Sequence, residues 1–266
     1  MSAKALYNHP SAQFDAKLAA SLALLQDTLG QHPGAWTQAN SLGAEDVVVT
    51  HLLHMAGLLQ QATTTVFVLD TLRLHTQTLA LIPQLESRYN IRLRVFKPQA
   101  EHVVALVQRI GQQGIYESKP QRLDCCNVRK LQPLAQALAG QVGWITGLRR
   151  EQSGSRADTS ALSHESAPQG LRLKLNPIVQ WTQGDVWHFI AQQQLPYNAL
   201  HDAFYPSIGC QPCTRAISAG EDQRAGRWWW EGNSAGNAAS PAKECGLHVQ
   251  PLQPGTRNAT TKEPTA

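Results

Sequence analysis

Ser41-Leu42-Gly43-Ala44-Glu45-Asp46 opens a helical stretch that runs to Met55 and stops at Gly57. Thr64–Leu69 (TTVFVL) follows, a β-branched and aromatic run that predicts a buried strand. Ahead of the turn, Ala35–Ala39 predicts a short strand, so strand, glycine turn, helix and strand follow one another. The alternation continues outward. Leu72–Tyr89 has helical periodicity, with Pro83 placed to kink or divide it. Ile91–Phe96 predicts a strand, His102–Ile110 and Leu123–Leu138 predict helices, and Val142–Thr146 predicts a strand running into Gly147. Upstream, Leu18, Leu22, Leu25 and Leu29 mark an amphipathic helix over Ser11–Leu29, with Gly30 as its terminator. Strands alternating with helices predict an α/β fold whose mostly parallel sheet is covered on both faces.

Farther on, residues 150–170 are polar and rich in Ser, Gly and Ala, which predicts a mobile loop. Leu171–Val179 predicts a strand, and Thr182, with Asp185 as its capping-box partner, predicts a helix to Gln193. After Gly220 the composition turns to Gly, Asn, Ser, Ala and Trp, and an irregular tail is expected. With 42% hydrophobic and 16% charged residues the chain can bury a core, which excludes global disorder. It holds neither an apolar run of membrane-spanning length nor a secretory signal pattern, so a soluble cytoplasmic protein is expected, with no membrane partner. The net charge of +4 suits an anionic small ligand as well as a nucleic acid.

Three strand ends could carry chemistry. At Ser41–Asp46, backbone N–H groups and a helix N-terminus favour an anion, although such a turn serves equally to start a helix. At Leu69-Asp70-Thr71, the aspartate is either a helix cap or a contact to a nucleotide sugar or base. After Gly147, the loop holding Arg149, Arg150 and Arg156 offers guanidinium forks for phosphate or sulfate, or else forms a solvated basic loop.

The cysteines number five, and four form pairs: Cys125-Cys126 and Cys210-Gln211-Pro212-Cys213. Two pairs supply enough thiolates for zinc or an iron–sulfur cluster; buried thiols without metal are the remaining option. Adjacent cysteines on a helix point about 100° apart, which suits the separate corners of a [4Fe–4S] cubane better than one tetrahedral ion. Arg129, Lys130 and Arg215 follow the pairs and would offset the charge of a thiolate cluster. The fifth thiol lies in Lys243-Glu244-Cys245-Gly246-Leu247-His248, where nearby cations would make it a nucleophile, unless it is an incidental tail cysteine. Arg224 and Arg227 precede Trp228-Trp229-Trp230, a segment suited to docking over an anionic, partly apolar ligand or to pairing in a homo-oligomer.

Taken in order, SLGAEDVV, VFVLDT, CCNVRK, GLRREQSGSRA, YPSIGCQPCTRAI, GEDQRAGRWWWE and KECGLH resemble the assimilatory sulfonucleotide reductases, in particular the iron–sulfur type that acts on adenosine 5′-phosphosulfate. The resemblance spans Ser41 to His248. It implies a Rossmann-like, adenine nucleotide alpha-hydrolase-type fold with a modified P-loop at Ser41, Gly43 and Asp46. It implies a [4Fe–4S] cluster on Cys125, Cys126, Cys210 and Cys213, and Cys245 as nucleophile on a flexible C-terminal tail. Lys130, Arg224, Arg227 and His248 match family positions around the phosphosulfate, and Leu69, Gly147 and Arg156 match positions near the adenosine. The implied organisation is an N-terminal helical segment (1–33), a nucleotide- and cluster-binding domain (34–220), a catalytic tail (221–250) and a disordered end (251–266). One departure stands out: the family usually reads LDTGRL, and Leu72 occupies the glycine position, so that loop is expected to differ.

The reaction implied is attack of Cys245 on the sulfur of adenosine 5′-phosphosulfate, release of AMP, and release of sulfite by thioredoxin. No glutaredoxin-like domain is evident, so an external reductant is expected. Specificity for the 3′-phosphorylated nucleotide is the alternative. A tRNA-thiolation enzyme is more distant, because its ATP loop usually reads SGGxDS; a zinc-stapled binding module is the non-catalytic option. No nucleic-acid partner is expected.

Overall fold

The computed structural model describes residues 2–168 and 170–232. Six strands, β1 (Trp36–Ala39), β2 (Thr64–Leu69), β3 (Arg94–Phe96), β4 (Gly143–Ile145), β5 (Leu162–Ala167) and β6 (Gly170–Leu175), form one sheet in the order β3-β2-β1-β4-β6-β5. Every pairing is parallel except β5 with β6. The chain leaves β1 toward β2 and β3 on one side, while β4 pairs with β1 on the other. The carboxyl ends of β1 and β4 therefore flank a topological switch point, where open α/β sheets bind ligands.

The helices are α1 (Ala3–Tyr7), α2 (Phe14–Gln31), α3 (Ala44–Met55), α4 (Thr76–Leu79), α5 (Leu81–Tyr89), α6 (Ala100–Ile110), α7 (Lys119–Cys126), α8 (Gln132–Ala137) and α9 (Gln183–Gln192). Helix α3 lies in the middle of the core: Val47, Val48, Val49, Leu52 and Leu53 are fully buried, and α2 and α9 pack against it. Asp185 joins the N-terminal segment to α9. Its carboxylate accepts from Thr182 N at 2.9 Å as half of the expected capping box, from Ser11 N at 2.7 Å, and from Lys17 Nζ at 2.8 Å.

Several expected boundaries move. Helix α2 runs through Gly30 to Gln31. The helix expected over Leu72–Tyr89 is two: 72–75 lie outside it, and the break falls at Ala80, so that Pro83 sits in the first turn of α5, where its missing N–H breaks no bond. Helix α7 starts at Lys119, ahead of the expected Leu123, because Ser118 accepts from Gln121 N and caps it. A π-helical turn, Asn127–Leu131, then separates it from α8. Within the expected mobile loop, residues 150–170 hold two 3-10 turns and strand β5. β5 lacks a strand-like composition; its pairing with β6 and Glu165, which accepts from Trp144 Nε1 at 2.8 Å and pairs with Lys174 at 3.0 Å, hold it in the sheet. The strand expected over Leu171–Val179 ends at Leu175.

Candidate active site

The turn after β1 is built from its own side chains. Asn40 Oδ1 accepts from Leu42 N at 2.7 Å, and Asn40 Nδ2 donates to Thr50 Oγ1 at 2.9 Å, which turns the chain back over α3. Leu42 adopts φ +64°, and Gly43 caps α3 with extended backbone. Asp46, one turn into α3, spans the switch point. One carboxylate oxygen accepts from Ser41 N at 2.8 Å and Ser41 Oγ at 2.5 Å; the other accepts from Gly147 N, beyond β4, at 2.9 Å. Burial raises the Asp46 pKa to about 6 against the pull of the Ser41 hydroxyl and amide. Gly147 has no room for a side chain: a Cβ there would lie 2.5 Å from Asp46 Oδ1 and 2.9 Å from Glu45 Cβ.

The arginines of the following loop diverge. Arg149 is buried and pairs with Glu45 and Glu151, both at 2.9 Å. Burial alone would raise the Glu45 pKa, but Arg149 and Gln152 outweigh it and hold the carboxyl below its ordinary range. Arg150 points away and donates to the Thr159 carbonyl at 2.9 Å. Arg156 reaches the site, where Gln152 accepts from its guanidinium and itself donates to Glu45 at 3.1 Å.

One cavity of about 230 Å³ opens at this sheet edge. Ser41, Gly43, Asp46, Leu69, Lys130, Gly147, Arg156, Arg224 and Arg227 all line it, so these sequence-derived site residues converge. Phe67, Leu69, Leu134 and Trp144 make one wall apolar. Arg227 is held by Ser207 Oγ and the Ile208 carbonyl, both at 3.3 Å, and its guanidinium stacks on Trp228 at 4.6 Å. It also lies against Gly209, where a Cβ would stand 2.5 Å from Nη2.

Cys125, Cys126, Cys210 and Cys213 line a second, smaller cavity with Arg73, Arg122, Arg129, Lys130 and Trp228. Lys130 and Trp228 face both cavities. Arg215, expected beside the thiols, turns instead to Glu221 at 2.7 Å. Thr71 Oγ1 lies 3.2 Å from Cys210 Sγ, which ties the loop after β2 to the cysteine pair. Burial and the neighbouring Cys210 push the Cys213 thiol up to about 12, against the pull of Lys130. Among the described residues no three His, Cys, Asp or Glu side chains converge as for a single metal ion. Four thiols spread around a cavity with cations in its wall suit, in donor type and charge, a polynuclear thiolate-bound cluster.

The phosphoadenosine phosphosulfate reductase domain matches residues 36–216. The chain belongs to that family. Among relatives, the adenosine 5′-phosphosulfate reductase of Allochromatium vinosum is 46% identical over 231 residues, covering 86% of this chain and 85% of its own. That of Burkholderia cepacia is 43% identical over 221 residues, 83% of each chain. A phosphoadenylyl-sulfate reductase structure from Candida auris superposes with a TM-score of 0.60 at 22% identity, covering 78% of this chain and 98% of that one. The FMN adenylyltransferase of Candida glabrata, solved with FAD and inorganic pyrophosphate, gives 0.55 at 13% identity over 90% and 83%. The fold is thus the adenine nucleotide alpha-hydrolase type that the motifs imply.

Cys245 and His248 lie outside the described residues. Leu72, at the position where the family usually has glycine, adopts a left-handed backbone, φ +59°, with its N–H donating to Asp70 Oδ1 at 2.9 Å. Of the tryptophans expected to dock over a ligand or a second copy, Trp228 lies between Arg122 and Arg227 and lines both cavities, and Trp230 packs edge-on to Tyr116 at 4.5 Å. Sequence reasoning missed the supporting Glu45–Arg149–Gln152 group, whose pairing crosses from α3 to the loop after β4, and His201, which lines the cavity from a distant turn.

Proposed function

We propose that this chain reduces adenosine 5′-phosphosulfate to sulfite and AMP in assimilatory sulfate reduction, with Cys245 as nucleophile and thioredoxin as electron donor. The reading is carried by one cavity that joins an anion-binding helix N-terminus and an apolar wall to Lys130, Arg224 and Arg227, and that shares Lys130 and Trp228 with the four-thiol cavity. The apolar side suits an adenine, the N-terminus of α3 a phosphate, and the cations a sulfate. The names of relatives 43–46% identical support adenosine 5′-phosphosulfate over its 3′-phosphorylated form.

The Cys245 thiolate attacks the sulfur of the phosphosulfate. The sulfur–oxygen bond to the phosphate breaks, AMP departs with the electron pair, and the sulfo group stays on Cys245 as an S-sulfonate, Cys–S–SO3−. Lys130, Arg224 and Arg227 offset the charge that grows on the departing phosphate and the sulfonate, and the role of His248 is to orient the sulfonate or stabilise the thiolate. A thioredoxin thiolate then attacks the Cys245 sulfur and expels sulfite; the second thioredoxin thiol releases Cys245 and closes the thioredoxin disulfide, which supplies the two electrons. Cys125, Cys126, Cys210 and Cys213 would hold a [4Fe–4S] cluster, whose charge would act electrostatically on the site. Lys130 faces both cavities and links the two.

Incubation with adenosine 5′-phosphosulfate should add the mass of one sulfonate to the protein, and Cys245→Ser should abolish that addition while nucleotide binding remains. A sulfonated Cys245→Ser protein would reject the nucleophile. Iron analysis and visible absorption test the cluster: Cys213→Ala should lose iron and turnover together, and zinc in a colourless wild-type protein would reject it.

A further inference from the structure

His201 lines the nucleotide cavity. It sits in the 3-10 turn Ala199–Ala203, between α9 and the Cys210 loop. That turn is firmly held: Asn198 Oδ1 accepts from Leu200 N at 3.1 Å, Asn198 Nδ2 donates to Thr78 Oγ1 at 2.8 Å, and His201 N donates to the Asn198 carbonyl at 3.0 Å. The imidazole stands edge-on to Trp187, centroids 5.1 Å apart and planes 84° apart, which fixes its plane. It is 6% exposed, yet neither Nδ1 nor Nε2 has a hydrogen-bond partner among the described residues. The Tyr205 backbone is near enough to favour a protonated ring but stands in hydrogen-bond geometry with neither nitrogen. By contrast, the buried ring of His51 bonds Tyr89 Oη at 3.0 Å, and the orphan nitrogen of His75 is not in the cavity wall.

Leaving a buried polar group without a partner is costly, so a fold seldom keeps one that nothing will satisfy. Burial lowers the His201 pKa, against the pull of Glu45, the Tyr205 backbone and Asp202, which leaves a neutral ring with one donor and one acceptor. Its position selects the ligand group. Glu45, near enough to act on the ring, is the second residue of α3, and the His201 turn leads directly into Ser207-Ile208-Gly209, the cradle of Arg227. The ring thus lines the cavity within reach of the first turn of α3, on a turn followed closely in the chain by the residues that hold Arg227.

We propose that His201 touches the substrate, donating a ring N–H to an oxygen of the nucleotide's phosphosulfate group. The assignment rests on the nucleotide reading of this cavity. A neutral donor here adds a directed hydrogen bond without adding to the positive charge of Lys130, Arg224 and Arg227.

The test uses the full chain carrying Cys245→Ser, labelled with 15N-histidine, so that bound adenosine 5′-phosphosulfate is not consumed. Loss of one imidazole signal in His201→Phe assigns the resonance. Saturation with adenosine 5′-phosphosulfate should shift that signal; a parallel shift with AMP places the bond on the phosphate, and a shift with the sulfated nucleotide alone places it on the sulfate. His201→Phe keeps a ring against Trp187 without an N–H and should weaken binding about tenfold, while His201→Gln or His201→Asn should restore part of the loss. A ring that only packs gives the reverse order, with Phe tolerated and the amides not. An unmoved His201 signal under saturating nucleotide overturns the proposal; if His201→Phe does not fold, His201→Gln supplies the assignment, and if no imidazole signal at all moves under saturating nucleotide the proposal falls without an assignment. Absence of binding of either nucleotide to the unsubstituted His201 protein removes the nucleotide reading and this proposal together.

Discussion

Leu42 and Leu72 share a left-handed backbone that leucine rarely adopts, φ +64° and +59°. In each, the side chain two residues earlier, Asn40 or Asp70, accepts from the leucine N–H and fixes the turn. Their side chains meet opposite surroundings: Leu42 is fully buried and Leu72 is 51% exposed. The strain of about 1–2 kcal/mol is therefore compensated by packing only at Leu42. Leu72→Gly should raise stability by about 0.5 kcal/mol, since relief of strain exceeds the added freedom of the unfolded chain. Leu42→Gly should lower it by about 2–4 kcal/mol through the lost burial. Urea midpoints of the two variants check both the signs and their difference. At Leu72 the left-handed turn is accommodated because the aspartate holds it and the leucine side chain has solvent to enter.

Two helix contacts set how elements respond to mutation and pH. Asp185, at the start of α9, accepts from Ser11 and Lys17 as well as from its own helix cap. Burial would raise its pKa, but the Lys17 and backbone bonds outweigh it and hold the carboxyl at about 2. Asp185→Ala should cost about 3 kcal/mol and expose α1 and α2 to amide hydrogen exchange before the sheet opens. His51 of α3 behaves oppositely. Burial, with Arg88 beside it, lowers its pKa to about 4, so the ring is neutral in the fold. The unfolded chain binds a proton there below about 6.5, so this contribution is whole above that pH and is lost as pH falls toward 4. Urea unfolding at pH 7 and pH 5 should show a drop that His51→Gln reduces; an equal drop in both proteins would show that other groups cause it.

Across the whole molecule, the two cavities are joined by the backbone around Cys210 and Cys213. Gly209 precedes the first cysteine and carries the Arg227 guanidinium on its bare Cα, while Trp228 N donates to the Cys213 carbonyl at 3.2 Å. A methyl at 209 displaces the far end of a flexible arginine rather than backbone. Gly209→Ala should therefore leave thermal stability and bound iron nearly unchanged while kcat/KM falls roughly 10- to 100-fold. Parallel loss of iron would show instead that the loop itself had been disrupted.

The sequence alone determined the mostly parallel α/β class, the two cysteine pairs and the glycine turn that starts α3, because each depends on local pattern: β-branched runs, helix periodicity, a glycine beside a helix start. It also named nearly every cation of the cavity through motif resemblance. Only the tertiary structure decided that Arg149 is paired by Glu45 and Glu151 and Arg215 by Glu221, that β5 joins the sheet, and that His201 reaches the cavity wall. The Glu45–Arg149 pair joins residues 104 apart in the chain at 2.9 Å, and a carboxylate brought in from that distance leaves no mark in the residues beside the arginine it meets.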